Sequence, residues 1–326
     1  MASLRLTFAC GPYDRMQALY DGRATIDGVD LQPTQIGNPM EIFSRMLDAD
    51  AFDVCEMSLT HCFVLRAKGS ARFVTIPVFP SRMFRHSFIF VNSRAGITAP
   101  ADLNEKRIGV QGYQMTAAVW IRGLLRASYG VQPQTIRWFE GGVNEKGVHG
   151  GSSTSMRPAD SLDIRHIGNE RTLSDMLANG EIDALIGAIK PASFKTSPDV
   201  IRLFPNYHEI ERRYFTSTGI HPIMHGLVVR KELCHEHPWL AERIFRACEA
   251  SKQIALEQSR FTGALRFMLP WLIEDLEEID EVFGDDPWPY GIERNRPALD
   301  AFNQYLVDDG FYPAPLPLED VFAPVG

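Results

Sequence analysis

The side chains best equipped for chemistry gather between Ser81 and Gly130. Arg82, Arg85 and His86 place two permanent cations and one group that titrates near neutral pH close together. Downstream, the short run Arg107–Val110 reads as a strand that passes through Gln111-Gly112 into a helix. The stripe Ala117, Ala118, Ile121, Leu124 and Leu125 defines that helix, Gly130 closes it, and Tyr113, Gln114 and Thr116 stand at its opening. A strand that runs into a helix N-terminus presents unpaired N–H groups and the positive end of the dipole, a ready seat for an anion. Charge, neutral donors and one proton carrier are what a substrate bearing carboxylates requires.

Other candidates are scattered along the chain. Glu56 and Ser58 follow the buried strand Phe52–Cys55, at the end where open parallel sheets bind ligands. His225 precedes the strand Gly226–Val229, Lys190 lies just past the strand Ile182–Ile186, and Arg15 sits in Tyr13-Asp14-Arg15. Each has a plain structural alternative. Ser58, Tyr113, Gln114 and Thr116 serve equally as helix caps, Arg15 and Lys190 as solvated charges, and a lone histidine as a satisfied core residue. Alternation along a strand would put Arg85 and His86 on opposite faces. His221 and His225 have the spacing of a helical metal pair, but Pro222 opposes a regular helix there, so no metal site is expected.

Composition narrows the classes. The 326 residues, 45% hydrophobic and 23% charged, fit an ordinary globular protein with material for two cores. A net charge of −8 opposes nucleic-acid binding, yet allows a local basic cleft for an anionic ligand. No apolar run approaches a membrane span, so no membrane partner is expected. The start, MASLRLTFACG, runs straight into strand-like residues without an export signal, and a cytoplasmic location is expected. Five cysteines without metal-type spacing read as reduced thiols. Gly109-Val110-Gln111-Gly112 is too short for a nucleotide loop, so no organic cofactor is expected.

Strand-like and helix-like segments alternate, which implies an α/β fold. The helices Pro39–Leu47, Thr60–Ala67, Thr172–Ala178 and Trp239–Gln258 show apolar faces at helical spacing. Further helical patterns cover 263–283, kinked or broken at Pro270, and 295–307. Residues 140–161, rich in Gly and Ser, read as a loop, and the Pro-rich tail 312–324 as an extended surface segment.

The runs FRHSFIFVN, PADL-x-x-KRIGV and Q-x-TAAVWIRGLL resemble those of the 4,5-dihydroxyphthalate decarboxylase family. YDR with a following DG, FDVCEMSL, LANGEIDALI, TGIHPIMH, HPW and PYGIERNRPAL match in the same order, so the resemblance covers nearly the whole chain. It implies a two-lobed periplasmic-binding-protein type II-like fold with two interlobe crossings, near Val91–Arg94 and His221–Gly226, and a C-terminal helical extension. Residues 1–93 and 225–326, including the C-terminal helices, would form lobe 1. Residues 94–224 would form lobe 2, with the ligand cleft between the lobes.

The activity implied by the resemblance is cofactor-independent loss of CO2 from 4,5-dihydroxyphthalate, giving protocatechuate, in phthalate degradation. An aryl carbanion is too unstable to form directly. The alternative is to protonate the ring carbon that bears the departing carboxylate while the hydroxyl para to it pushes electrons in, which needs an acid near the carbon and a base near the hydroxyl. On this reading Arg85 and Arg15 clamp carboxylates, His86 leads the proton transfer, and Glu56 or His225 acts on the phenolic side. Ser58, Arg82, Tyr113, Gln114, Thr116 and Lys190 complete the substrate-binding set. The partner is a small aromatic dicarboxylate, and a homo-oligomer is compatible with this reading. The rival is a solute-binding protein that holds an aromatic anion for an importer without chemistry.

Overall fold

The computed structural model describes residues 3–147, 156, 158 and 162–325, so much of the loop expected at 140–161, including His149, lies outside the described residues. The chain forms two compact units. Unit 1 comprises Met1–Arg82, Ile223–Arg296 and Leu316–Gly326, and unit 2 comprises Met83–Pro222 and Pro297–Pro315. Each is a sheet with helices, as the alternating sequence pattern requires. No described helix is long and apolar enough to cross a membrane.

The sheet of unit 1 holds β1 (Leu4–Cys10), β2 (Val29–Gln35), β3 (Val54–Ser58), β4 (Phe73–Arg82) and β11 (Ile223–Arg230), in the order β2-β1-β3-β11-β4. β1 runs parallel to β2 and β3, and β11 runs antiparallel to both β3 and β4. All five residues of β3 are buried, as expected of a strand with neighbours on both edges and covered faces. On its flank the helix Pro39–Ala49 starts at Asn38, whose side chain accepts from the Met40 N–H at 3.1 Å, and buries Ile42, Phe43 and Met46. Pro77 and Pro80 interrupt β4, and its pairing with β11 shifts register on both sides of His225. Such irregularities re-aim a side chain and recur beside functional sites.

The segment that follows the helix Leu272–Phe283 is fastened to β4. Gly291 N–H donates to the Pro77 carbonyl at 2.8 Å, Trp288 Nε1 to the Phe79 carbonyl at 2.8 Å, and Arg82 to the Pro289 carbonyl at 2.6 Å and to Asn295. The tail is not a surface strand. Leu318–Val321 makes a helical turn, Ala323 N–H bonds the Thr75 carbonyl at 2.8 Å, and Phe322 packs edge-on against Phe63 and Phe79. The apolar side chains between its prolines account for this, since they gain more by packing than the polar turn pattern suggested.

Unit 2 holds a second sheet of β5 (Ile89–Asn92), β6 (Arg107–Val110), β7 (Arg137–Glu140), β8 (Ile164–His166), β9 (Ala184–Ile186) and β10 (Val200–Arg202). Their order is β10-β5-β9-β6-β7-β8, with β6 to β9 parallel and β5 antiparallel to β9. Val91 and Asn92 therefore lie inside this sheet, and the chain leaves unit 1 earlier than expected, after Arg82. Residues 297–315 also differ from expectation, because they belong to unit 2. Trp120 of the helix Thr116–Tyr129 packs on Phe302 and Tyr305, and Arg122 pairs with Asp309 at 2.6 Å, both side chains fully buried. Gly123 is required at that contact, since a Cβ there would overlap the Tyr305 ring. β10 and the helix Tyr207–Thr218 were not anticipated, and the helix expected over 263–283 is confined to Leu272–Phe283.

Candidate active site

Unit 1 builds a carboxylate–imidazole pair where β1, β3 and β11 adjoin. Glu56 and Ser58 alternate onto one face of β3, and on β11 His225 lies opposite Ser58 while Leu227 lies opposite Glu56. Glu56 and His225 are thus diagonal neighbours on that face, a spacing that long side chains bridge. His225 Nδ1 stands 2.5 Å from Glu56 Oε1. The same carboxylate accepts from the Tyr13 hydroxyl at 2.7 Å and the Gly11 N–H at 2.9 Å, with Cys10 Sγ at 3.5 Å. Glu56 is wholly buried, whereas His225 keeps 17% of its side chain exposed, so the imidazole is the accessible half of the pair. Phe43 supports the ring edge-on at 5.0 Å.

Burial by itself pushes the Glu56 carboxyl up. The charge and hydrogen bond of His225, with the Tyr13 and Gly11 donors, overcome that and hold it below the ordinary carboxylate value. Tyr13 is pushed the other way by burial and by the Glu56 charge, so it remains a neutral donor. An ionised carboxylate only accepts hydrogen bonds, so Nδ1 carries a proton and Nε2 is left as the nitrogen that can give or take one. Buried carboxylates orient catalytic histidines in this way.

Arg15 adjoins the pair through Tyr13. Its guanidinium lies 4.5 Å from the Tyr13 ring centre and 4.1 Å from that of Trp288, while Nε donates to the Pro80 carbonyl at 2.6 Å and Nη1 to Asp14 at 2.9 Å. Stacking between two rings presets the fork that carboxylate binding uses. Arg82 has another task, since its guanidinium is buried and committed to Pro289 and Asn295.

The remaining candidates lie in unit 2. His86 belongs to a 3₁₀ turn, His86–Phe88, rather than a strand, so the alternation argument does not apply to it. It is 1% exposed and surrounded by Phe204 at 5.3 Å, Tyr214 at 5.3 Å and Tyr129 at 6.2 Å. Neither ring nitrogen has a hydrogen-bond partner among the described residues, and burial pulls its pKa down to about 4. A neutral imidazole walled by aromatic rings is poorly placed to deliver protons. Arg85, one residue earlier, is also buried, and its Nε and Nη1 lack hydrogen-bond partners among the described residues. Its guanidinium lies 5.3 Å from the Phe88 ring centre; burial pulls its pKa down, and the Glu211 charge opposes that.

Tyr113, Gln114 and Thr116 are all buried at the opening of the helix Thr116–Tyr129. Tyr113 N–H donates to Glu140 Oε1 at 2.8 Å, and its ring is sandwiched by Arg122 at 3.6 Å and Trp138 at 5.4 Å, an anchoring role. Lys190 is exposed, with Nζ 4.4 Å from the Phe194 ring centre. His221 stacks on Phe84 at 4.7 Å, an engagement unlike that of His225. Three partners of Glu56 escaped the sequence reading: Cys10, Gly11 and the Tyr13 hydroxyl. They are gathered by the β1–β3 pairing, which a single sequence does not display, although Tyr13 stood in a motif already noted.

Each unit is a sheet with helices, and that of unit 1 carries a buried carboxylate–imidazole pair suited to acid–base chemistry. The fold is that of periplasmic binding proteins. A periplasmic aliphatic sulphonate binding protein SsuA from Escherichia coli aligns with a TM-score of 0.53 at 10% identity, over 99% of this chain and 97% of its own. A putative sulfonate ABC transporter, periplasmic sulfonate-binding protein SsuA from Methylobacillus flagellatus, aligns with a TM-score of 0.51 at 12% identity, over 99% and 92%. In sequence, a 4,5-dihydroxyphthalate decarboxylase from Comamonas testosteroni is 39% identical over 303 residues, 93% of this chain and 91% of its own length. Another of that name from Pseudomonas putida is 41% identical over 194 residues, 60% and 74%. No protein-family model matches the chain. The chain belongs to the 4,5-dihydroxyphthalate decarboxylase family.

Proposed function

We propose that this protein is a carboxy-lyase that removes CO2 from 4,5-dihydroxyphthalate and leaves 3,4-dihydroxybenzoate. We assign the proton transfer to His225, with Glu56 as the residue that positions it. The observation that carries the assignment is the buried Glu56, held ionised by the Gly11 and Tyr13 donors, 2.5 Å from Nδ1 of a partly exposed histidine. Protonated Nε2 gives its proton to the ring carbon bearing the departing carboxylate. The para hydroxyl supplies electron density, the carbon–carboxylate bond breaks, and its electron pair restores the aromatic ring as CO2 leaves. Atoms balance, because one proton replaces one CO2, and the steps call for no external electron acceptor. Arg15 is assigned to a substrate carboxylate, its fork preset by Tyr13 and Trp288. Arg85 is the group of unit 2 most suited to an anion, with Lys190, Gln114 and Thr116 as lesser candidates. Ser58, opposite His225, is a neutral donor beside the dyad.

The likeness to sulfonate-binding proteins, at 10–12% identity, concerns the fold and says nothing of the ligand. The test is incubation with 4,5-dihydroxyphthalate in D2O, following CO2 and the aromatic product by mass spectrometry and NMR. Stoichiometric CO2, with deuterium at the ring carbon that lost its carboxylate, is expected. Binding without turnover would replace this reading with that of a solute-binding protein.

A further inference from the structure

The most conspicuous feature outside the site is an apolar stretch of unit 1 turned toward solvent. Phe261, Leu265, Met268, Leu269, Trp271 and Ile273 are 45–101% exposed, with Met268 fully so. They fall in one segment between the helix Leu240–Arg260 and the first turn of the helix Leu272–Phe283. That second helix is itself under-packed, because Leu276, Ile279, Val282 and Phe283 are only half-buried and Leu272 alone is fully so. Six such side chains expose on the order of 600 Å² of apolar surface, at the upper end of what a monomer usually shows.

We propose that this segment is a self-association surface, occupied by the same segment of a second copy of the chain in a two-fold pair. The charges favour this occupant. Arg260 precedes the apolar stretch and Arg266 lies in its first half, whereas Glu274, Asp275, Glu277, Glu278, Asp280 and Glu281 crowd its far end. A two-fold axis perpendicular to the segment makes the two copies run antiparallel, which sets the basic half of one against the acidic end of the other. The pairing already occurs within one chain, where Arg260 bonds Asp280. A two-fold pair would bury roughly 1,200 Å² of apolar surface, within the range of specific interfaces. The acidic helix argues against a lipid surface, since six carboxylates beside the patch repel anionic headgroups.

The test uses the full chain in sedimentation velocity and light scattering. Met268→Glu with Trp271→Glu should halve the assembled mass while hydrogen exchange of the unit 1 sheet and decarboxylase turnover stay as in the parent. Arg266→Glu should weaken association at least tenfold, and Glu277→Lys added to it should restore most of the loss. A parent protein that is monomeric at 50 μM would overturn the proposal. So would an assembled mass unchanged by the double variant, or flotation of the parent with phosphatidylcholine or phosphatidylglycerol vesicles that the same variant abolishes.

Discussion

Replacing His86 with Phe separates the two roles that this histidine has been given. In the native protein its imidazole is walled by Phe204, Tyr214 and Tyr129, makes no hydrogen bond to any described residue, and has its pKa pulled down to about 4 by burial. The unfolded chain takes up this proton near pH 6.5, and the folded chain does not until about pH 4. The stability at stake is therefore fully present above pH 6.5 and is lost as pH falls toward 4. At pH 5 the loss from one such group is about 2 kcal/mol, rising to about 3 kcal/mol below pH 4. His61 of unit 1, likewise pulled down to about 4 by burial, adds a similar slope in its own unit. The readout must then be local: hydrogen exchange of the β5 and β9 amides at pH 8, 6 and 5, corrected for intrinsic rates. His86→Phe should lose about 2 kcal/mol less than the parent between pH 8 and 5, whatever constant packing cost the larger ring adds. Glu211, whose carboxyl burial pushes up, titrates in both proteins and cancels from the difference. Turnover at pH 8 should stay within a few-fold of the parent. An unchanged pH slope would mean that His86 is solvated or paired, and a turnover loss of a hundredfold or more would return it to the chemistry.

The proton-transfer assignment predicts that His225→Gln lowers kcat by roughly 10²–10⁴-fold with a much smaller change in KM. Glu56→Gln, which no longer fixes the proton on Nδ1, should also lower kcat and should alter the pH–rate profile, and an unaltered profile would count against the dyad. Asp309→Ala strands the buried Arg122 and should cost unit 2 about 3–5 kcal/mol in urea unfolding; a loss under 1 kcal/mol would mean that Arg122 finds another partner. Arg85→Met should leave the stability of the ligand-free protein unchanged or raised while weakening substrate binding at least tenfold by calorimetry. Unchanged affinity would remove Arg85 from the binding set.

Sequence patterns were most legible where local physics decides the outcome. The helix opened near Thr116 and closed by Gly130 ends there because a left-handed residue, φ 69°, terminates it. β3 was readable from Phe52–Cys55, and the structure extends it to Ser58, so Glu56 and Ser58 lie in its C-terminal half. The partners of Glu56 were not readable, because Gly11 and Tyr13 reach it only through the pairing of β1 with β3, and His225 only through β11. The surroundings of His86 were not readable for a related reason. Its neighbours in sequence are polar and charged, but its neighbours in space are rings contributed by residues 129, 204 and 214. Residues 297–315 escaped for the same cause, since a buried ion pair between Arg122 and Asp309 joins positions far apart in the chain.

Three cations and proton carriers in five residues thus meet three different fates, and what separates them is what the fold offers each polar atom. Arg82 is buried, and its Nη2 donates to both the Pro289 carbonyl and Asn295, which fastens a long segment to β4; removing it should disturb structure before chemistry. His86 is buried without partners but can discard its charge, so its environment costs it only a proton it does not need. Arg85 is buried with two open donors and has no comparable escape, because a guanidinium stays protonated across the range in which proteins work. The Glu211 charge acts on it from nearby, but no carboxylate among the described residues bonds its Nε or Nη1. These two open donors are the ground on which Arg85 is proposed as an anion-binding group, and the Arg85→Met measurement tests it.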